Sequence, residues 1–306
     1  MSLTKHSKKD IFLSYITILR LVNGIVAGTA AIFAIILSTP VGAKIDYITL
    51  LLVLLSGTLV SSQAMIFNDI ADREEDLVNA PHRPIPSKKI SVRTAVIYGV
   101  IVALIALILA LLIDIREGLP GISVITALIF GSSLNLYNFK VKQMGFFGNV
   151  LIGLNVVALF VYGSLFSYFV YQQGFTWVPT IVGLAAASGN VGREVIKGLP
   201  DIEGDKKAGN KTIAVVFGPR VAGIVGAFFL LGLAGGAIGA MIIADLYLPS
   251  LIIAIILALL VLGLAIAIII TQNPKWAYTT KEILLIVFLV FLLDFIIDAI
   301  IKLVKG

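Results

Sequence analysis

The chain has 306 residues, of which 59% are hydrophobic and 13% charged, with a formal net charge of +6 and a mean hydropathy of +1.07. Soluble domains are roughly 45–50% apolar and about 25% charged, so this composition excludes a soluble globular enzyme, a disordered chain and a nucleic-acid-binding domain. There is no cysteine, and His6 and His82 are the only histidines, which excludes disulfides, thiolate metal sites, a cysteine nucleophile and a histidine-rich metal centre.

A membrane-crossing helix takes roughly 20 apolar residues. In chain order, apolar stretches between polar or Pro/Gly breaks predict nine such helices, over 12–38, 47–70, 91–113, 119–138, 146–171, 176–198, 219–243, 247–271 and 281–303. The fold class is therefore an all-α polytopic membrane protein, read as one membrane domain over 1–306. The first stretch is too long for a signal-peptide core, and no A-x-A-like site closes it. With the N-terminus on the cytoplasmic side, 19 Lys and Arg residues fall on that side and four, Lys44, Arg116, Lys302 and Lys305, on the other. Basic residues gather on the cytoplasmic face of membrane proteins. The positive balance thus reads as orientation in the cell membrane. It calls for no nucleic acid, and nothing in the chain calls for an obligate protein partner.

Two cytoplasmic connections are long, at about 70–90 and 199–218, and each opens on an acidic cluster. The first runs Asn68-Asp69-Ile70-Ala71-Asp72-Arg73-Glu74-Glu75-Asp76. If the second helix continues, Asn68, Asp69, Asp72 and Asp76 share an arc of about 100°, and Glu74 points elsewhere. The second cluster is Asp201-Ile202-Glu203-Gly204-Asp205, with Asp201 and Asp205 one helical turn apart. One such cluster reads equally well as solvated surface; two at helix mouths on one face do not. Asp and Asn oxygens are hard ligands that suit Mg²⁺, which takes one or two carboxylates plus substrate phosphate oxygens. Facing clusters would hold two Mg²⁺ ions around a diphosphate, with Arg83, Lys140, Lys142 and Arg193 on the same face as cations for the anion.

Arg20 lies inside the first apolar stretch, where a charge is costly and marks a functional candidate. Asn23 follows at i+3 on the same face. The plainer reading is that Arg20 snorkels to the headgroups. Asn155 and Tyr162, seven apart on the fifth predicted helix, are candidate cavity residues, with ordinary interhelix hydrogen bonding as the alternative. Gly24/Gly28 and Gly235/Gly239 read as close helix packing.

These residues resemble a known family. Asn68-Asp69-x-x-Asp72-x-x-x-Asp76 is similar to the first signature of the UbiA superfamily of intramembrane prenyltransferases, and Arg83-Pro84-Ile85-Pro86-Ser87 to its following RP segment. Asp201-x-x-x-Asp205, with Gly209-Asn210-Lys211-Thr212 after it, resembles the second signature. Arg20-x-x-Asn23 resembles the first-helix motif, and Tyr137 with Lys140 and Lys142 the Tyr/Lys segment after the fourth helix. Gly198 stands where many members carry a further Asp, and the segment leaves Lys140 and Lys142 both open as the diphosphate contact. Arg193-Glu194 leading into the second signature, and Gly145-Phe146-Phe147-Gly148-Asn149, look most like the branch that builds archaeal ether lipids.

The resemblance implies nine helices around a central cavity whose charged mouth is capped by the 2–3 and 6–7 connections and faces the cytoplasm. It implies Mg²⁺-dependent transfer of a geranylgeranyl group from geranylgeranyl diphosphate to geranylgeranylglyceryl phosphate. Asp72, Asp76, Asp201 and Asp205 would be catalytic. They would hold metal together with Asn68 and Asp69, while Arg20, Asn23, Arg83, Tyr137, Lys140, Lys142, Arg193 and Lys197 would bind diphosphate. An aromatic quinone precursor such as 4-hydroxybenzoate would use the same chemistry with carbon as nucleophile. A secondary transporter would place its charges near the bilayer midplane, whereas here the acidic residues gather at one rim.

Overall fold

The computed structural model describes residues 7–200, 202–207, 211–243 and 248–271, with isolated positions between 279 and 301. Asp201, Gly209, Asn210 and most of the expected last span lie outside the described residues. All regular structure among the described residues is helical. In chain order the helices are α1 (Lys8–Ile18), α2 (Leu21–Ser38), α3 (Tyr47–Ala71), α4 (Arg73–Asn79), α5 (Val92–Glu117), α6 (Ile122–Phe139), α7 (Phe146–Val170), α8 (Val178–Lys197), α9 (Ile202–Lys207), α10 (Ile213–Phe217), α11 (Pro219–Ile243) and α12 (Leu248–Thr271). A short 3-10 turn, Val141–Met144, precedes α7.

Among the described residues seven stretches are long and apolar enough to cross a membrane: Lys8–Ser38, α3, α5, α6, α7, α11 and Leu251–Thr271. The predicted ends of the first eight spans fall within four residues of the helix ends. Two expectations change. The first span is not one helix: the chain breaks at Leu19–Arg20, and Arg20 takes the left-handed φ of +45°. The predicted sixth span is a helix, α8, but it is not apolar enough to count as a crossing by composition.

The chain divides into two compact units, one from residues 1–32 and 45–139 and the other from 33–44 and 140–306. In the first, α3 packs on α5 and α6, and α1 lies against α3. Lipid tails are as apolar as the side chains, so close van der Waals contact holds such helices together. Gly24 and Gly28 supply it as expected. A Cβ on Gly24 would stand 2.7 Å from the Thr58 carbonyl oxygen, and one on Gly28 would collide with the Leu54 carbonyl oxygen. Asp46 caps α3 by accepting from Ile48 N at 2.9 Å and also takes a bond from Arg116 on α5.

In the second unit α8 packs against both α7 and α11, and α12 against α11. Small residues set these spacings: a Cβ on Gly192 would lie 2.9 Å from the Gly226 carbonyl oxygen, and one on Gly236 2.8 Å from the Ala185 side chain. That explains the low hydropathy of α8, since a helix that faces other helices needs small side chains more than long apolar ones. Gly235 and Gly239 depart from expectation, because nothing described lies within 4 Å of where their Cβ atoms would be.

Candidate active site

In the first unit the helical register runs unbroken through the acidic motif. Asp72 N bonds to Asn68 O at 2.8 Å, Asp76 N to Asp72 O at 2.8 Å, and Ala80 N to Asp76 O at 3.0 Å. This keeps Asn68, Asp69, Asp72 and Asp76 on one side. All four are buried or half-buried, whereas Arg73, Glu74 and Glu75 are exposed. Asp72 sits at the junction of α3 and α4 without making a capping bond to α4. Its carboxylate accepts from Asn68 Nδ2 at 3.1 Å.

Two arginines meet this stripe. Arg20, placed by the α1–α2 break, donates through Nη2 to Asp69 Oδ1. Arg83 donates through Nη1 to both Asp76 oxygens, at 2.7 and 2.6 Å, and lies 3.8 Å from Asp69 Oδ1. Arg83 reaches in because its loop is pinned by apolar contacts. Ile85 and Ile90 are buried with Ile18, Ile66 and Ile70, and the loop turns back through Ile90 N bonding to Pro84 O at 3.1 Å. The Asp76 carboxylate beside it raises the Arg83 guanidinium above its ordinary value, which keeps it a permanent cation. Asp69 and Asp76, expected as metal ligands, are thus both engaged by arginine.

Sequence reasoning missed the support behind this stripe. Asn138 on α6 donates to Ala64 O at 2.8 Å and accepts from Asn68 Nδ2 at 3.4 Å, so it orients the motif asparagine. Asn135 donates to Gln63 at 3.2 Å one turn along. The signal was present: two amides at i and i+3 inside an apolar helix seek polar partners across a helix interface. Met65 was also missed; its sulfur takes N–H groups from Arg20 at 4.0 Å and from Asn23 at 3.8 Å. Tyr137 lies half-buried on α6.

In the second unit Asp205 is half-buried on α9 and Glu203 is exposed. Asp201 lies outside the described residues. Arg193 and Lys197 both turn to Glu194, at 2.9 and 3.4 Å, and the Arg193 Nε is buried without a partner among the described residues. Lys140 and Lys142 are exposed on either side of the start of the 3-10 turn, and neither is singled out. Asn155 and Tyr162 are each 5% exposed. Asn155 donates to its own helix at Leu151 O, 3.0 Å away, and Tyr162 packs edge-on to Phe166 with ring centroids 6.2 Å apart.

Among the described residues no three acidic or histidine side chains converge as a closed metal cage. Mg²⁺ does not require one, because it keeps several waters and takes one or two protein carboxylates plus substrate phosphates. The half-buried Asp72 and Asn68 are hard oxygen donors of the kind it selects.

The chain has relatives. The profile of the UbiA prenyltransferase family matches residues 15–295, across the residues of both units. Digeranylgeranylglyceryl phosphate synthase of Methanosphaera stadtmanae is 33% identical over 208 residues, covering 68% of this chain and 70% of that one. A solved structure described as digeranylgeranylglyceryl phosphate synthase in membranes is similar with a TM-score of 0.81 at 27% identity, covering 95% of this chain and 99% of that one. A UbiA homologue from Archaeoglobus fulgidus, solved with GPP and Mg²⁺, shares the fold with a TM-score of 0.63 at 17% identity, covering 94% and 99%. The chain, whose described residues are helical with seven membrane-length apolar stretches and an acidic helix mouth clamped by arginines, therefore belongs to the UbiA prenyltransferase family, and is an integral, multi-pass membrane prenyltransferase.

Proposed function

We propose that the protein transfers a geranylgeranyl group from geranylgeranyl diphosphate to the free hydroxyl of geranylgeranylglyceryl phosphate, forming the second ether bond of archaeal membrane lipids and releasing diphosphate. The observation that carries the reading is the arginine-clamped Asn68–Asp76 stripe, in a chain whose relatives are named for that product. Asn68 and Asp72 of the first motif, and Asp201 and Asp205 of the second, would hold two Mg²⁺ ions, while Asp69 and Asp76 pair with the arginines. The metal supplies positive charge where the leaving diphosphate gains negative charge. Arg20, Asn23, Arg83, Tyr137, Arg193, Lys197 and one of Lys140 or Lys142 donate to the diphosphate oxygens.

In the reaction the allylic carbon–oxygen bond breaks and its electron pair leaves with the diphosphate. The acceptor oxygen bonds to the first prenyl carbon, and its proton passes to the acceptor phosphate or the released diphosphate. Water would intercept the electron-poor carbon, so the site must be dry; the apolar helices supply that and hold both lipid chains. The charge asymmetry supports a site that opens to the cytoplasm under the connections following α3 and α8. Mass spectrometry of products from the purified protein with Mg²⁺, geranylgeranyl diphosphate and either acceptor is the test. The doubly alkylated glyceryl phosphate is expected. Product from 4-hydroxybenzoate with none from the glyceryl phosphate overturns the acceptor assignment.

A further inference from the structure

The sequence pattern groups Asp69 with the metal ligands, but the structure gives it different neighbours. Its side chain is 2% exposed, while the two arginines that reach it are 28% and 32% exposed. Arg20 arrives from a distant segment and donates to Asp69 Oδ1, and Arg83, hydrogen-bonded to Asp76, brings its charge to 3.8 Å from the same oxygen. Arg20 does so from a left-handed backbone, φ +45°, in the gap between two helices. Non-glycine residues rarely adopt that conformation, and it persists only where the surroundings impose it. A buried carboxylate in turn persists only when its charge is paired. The strained arginine and the buried acid therefore account for each other. A guanidinium carries five N–H donors in a fixed plane, so the bond to Asp69 sets the direction of those left over on Arg20.

We propose that Asp69 is a positioning residue: its buried carboxylate holds Arg20, beside the Asp76-bound Arg83, so that the remaining donors of Arg20 bind the diphosphate of the prenyl donor, and it is not a Mg²⁺ ligand. This rests on the function proposed above. Asp72, half-buried on the same stripe, keeps the metal role. Lysine cannot replace Arg20 here, because an ammonium has no planar fork to orient.

The test uses the full chain in lipid nanodiscs, with Asp69→Asn, Arg20→Gln, the double variant and Arg20→Lys. Binding of the unreactive thiolo analogue of geranylgeranyl diphosphate is measured by calorimetry, together with KM and the Mg²⁺ concentration giving half-maximal rate. Asp69→Asn is expected to raise KM and the analogue Kd by about ten- to a hundredfold, the range of a lost charge-assisted bond. The Mg²⁺ half-saturation should stay within about twofold of wild type, and the cost of Asp69→Asn should shrink in the Arg20→Gln background, because coupled residues are not additive. A Mg²⁺ half-saturation shifted about tenfold or more, or fully additive losses, overturns the proposal. Should Asp69→Asn fail to fold, Arg20→Lys decides alone: a wild-type analogue Kd refutes the clamp. Analogue binding needs no acceptor. A wild type that binds the analogue but does not alkylate the glyceryl phosphate overturns the proposed function and leaves the clamp standing.

Discussion

Gly24→Ala adds one methyl group where the structure has no room for it. The new Cβ would lie 2.7 Å from the Thr58 carbonyl oxygen and 2.9 Å from Ser62 Oγ, whereas ordinary contact begins at 3.4 Å. The Thr58 oxygen belongs to the α3 backbone and cannot rotate away, so α2 must move outward by about 0.7 Å. Overpacking of this kind costs roughly 1–3 kcal/mol, and alanine returns about 0.5–1 kcal/mol through helix propensity. A net loss of about 1–2 kcal/mol is expected. The displacement acts one turn from Arg20, since Gly24 N bonds to Arg20 O. Misplacing a catalytic contact by about 1 Å can cost about a hundredfold in rate, so kcat/KM should fall between about ten- and a hundredfold. Initial rates in nanodiscs and thermal unfolding measure the two effects. Gly263→Ala is the control, because nothing described lies within 4 Å of its Cβ; it should leave the rate unchanged and the melting temperature equal or slightly raised. A Gly24→Ala protein with wild-type rate and melting temperature would refute the link between the α2–α3 seam and the site.

Asp72→Asn and Asp205→Asn should each remove most activity while leaving circular dichroism and melting temperature near wild type; near-normal turnover in both would sink the metal assignment. Chelating divalent cations should stop the wild-type reaction, and added Mg²⁺ should restore it. Gly145→Ala should destabilise the second unit by about 2–4 kcal/mol, because Gly145 has φ +58° and its Cβ would strike the Lys211 carbonyl group; a melting temperature within a degree of wild type speaks against this. The Arg116 guanidinium bonded to Asp46 holds that carboxyl below its ordinary value of 3.8. The depressed value means the contribution is present above the ordinary carboxylate range and is lost as pH falls through the lowered one. Asp46→Asn should therefore melt earlier than wild type at pH 7, with the gap closing below about pH 4; a gap independent of pH contradicts the assignment.

Much of this was legible in the residues, and the omissions have physical causes. The acidic stripe could be read because 3.6 residues per turn fixes which side chains share a face, and the backbone keeps that register through Asp72. The break at Arg20 could not, because nothing in an apolar stretch announces a left-handed arginine whose side chain bonds to Asp69, forty-nine positions away. Periodicity also treats the motif carboxylates alike. Which of them meets an arginine depends on how the 80–91 loop folds back, and that is decided by Ile85 and Ile90 sinking among Ile18, Ile66 and Ile70. Asn135 and Asn138 announce a polar contact across a helix interface, but their spacing does not say which helix supplies the partners, Gln63 and Asn68 on α3.

The composition of α8 has a consequence for how the protein is made. With Gly183, Ser188, Gly189, Asn190 and Gly192 in its middle and Arg193, Glu194 and Lys197 near its end, it is too polar to partition into lipid by itself. It packs against α7, which emerges from the ribosome before it, and its other flank stays uncovered until α11 is synthesised. Between those moments the second acidic motif hangs on a helix not yet committed to the membrane. Assembly of this unit is thus ordered by translation, and substitutions that widen the α8–α11 contact should act first on the yield of inserted protein and only then on the rate of the enzyme that survives.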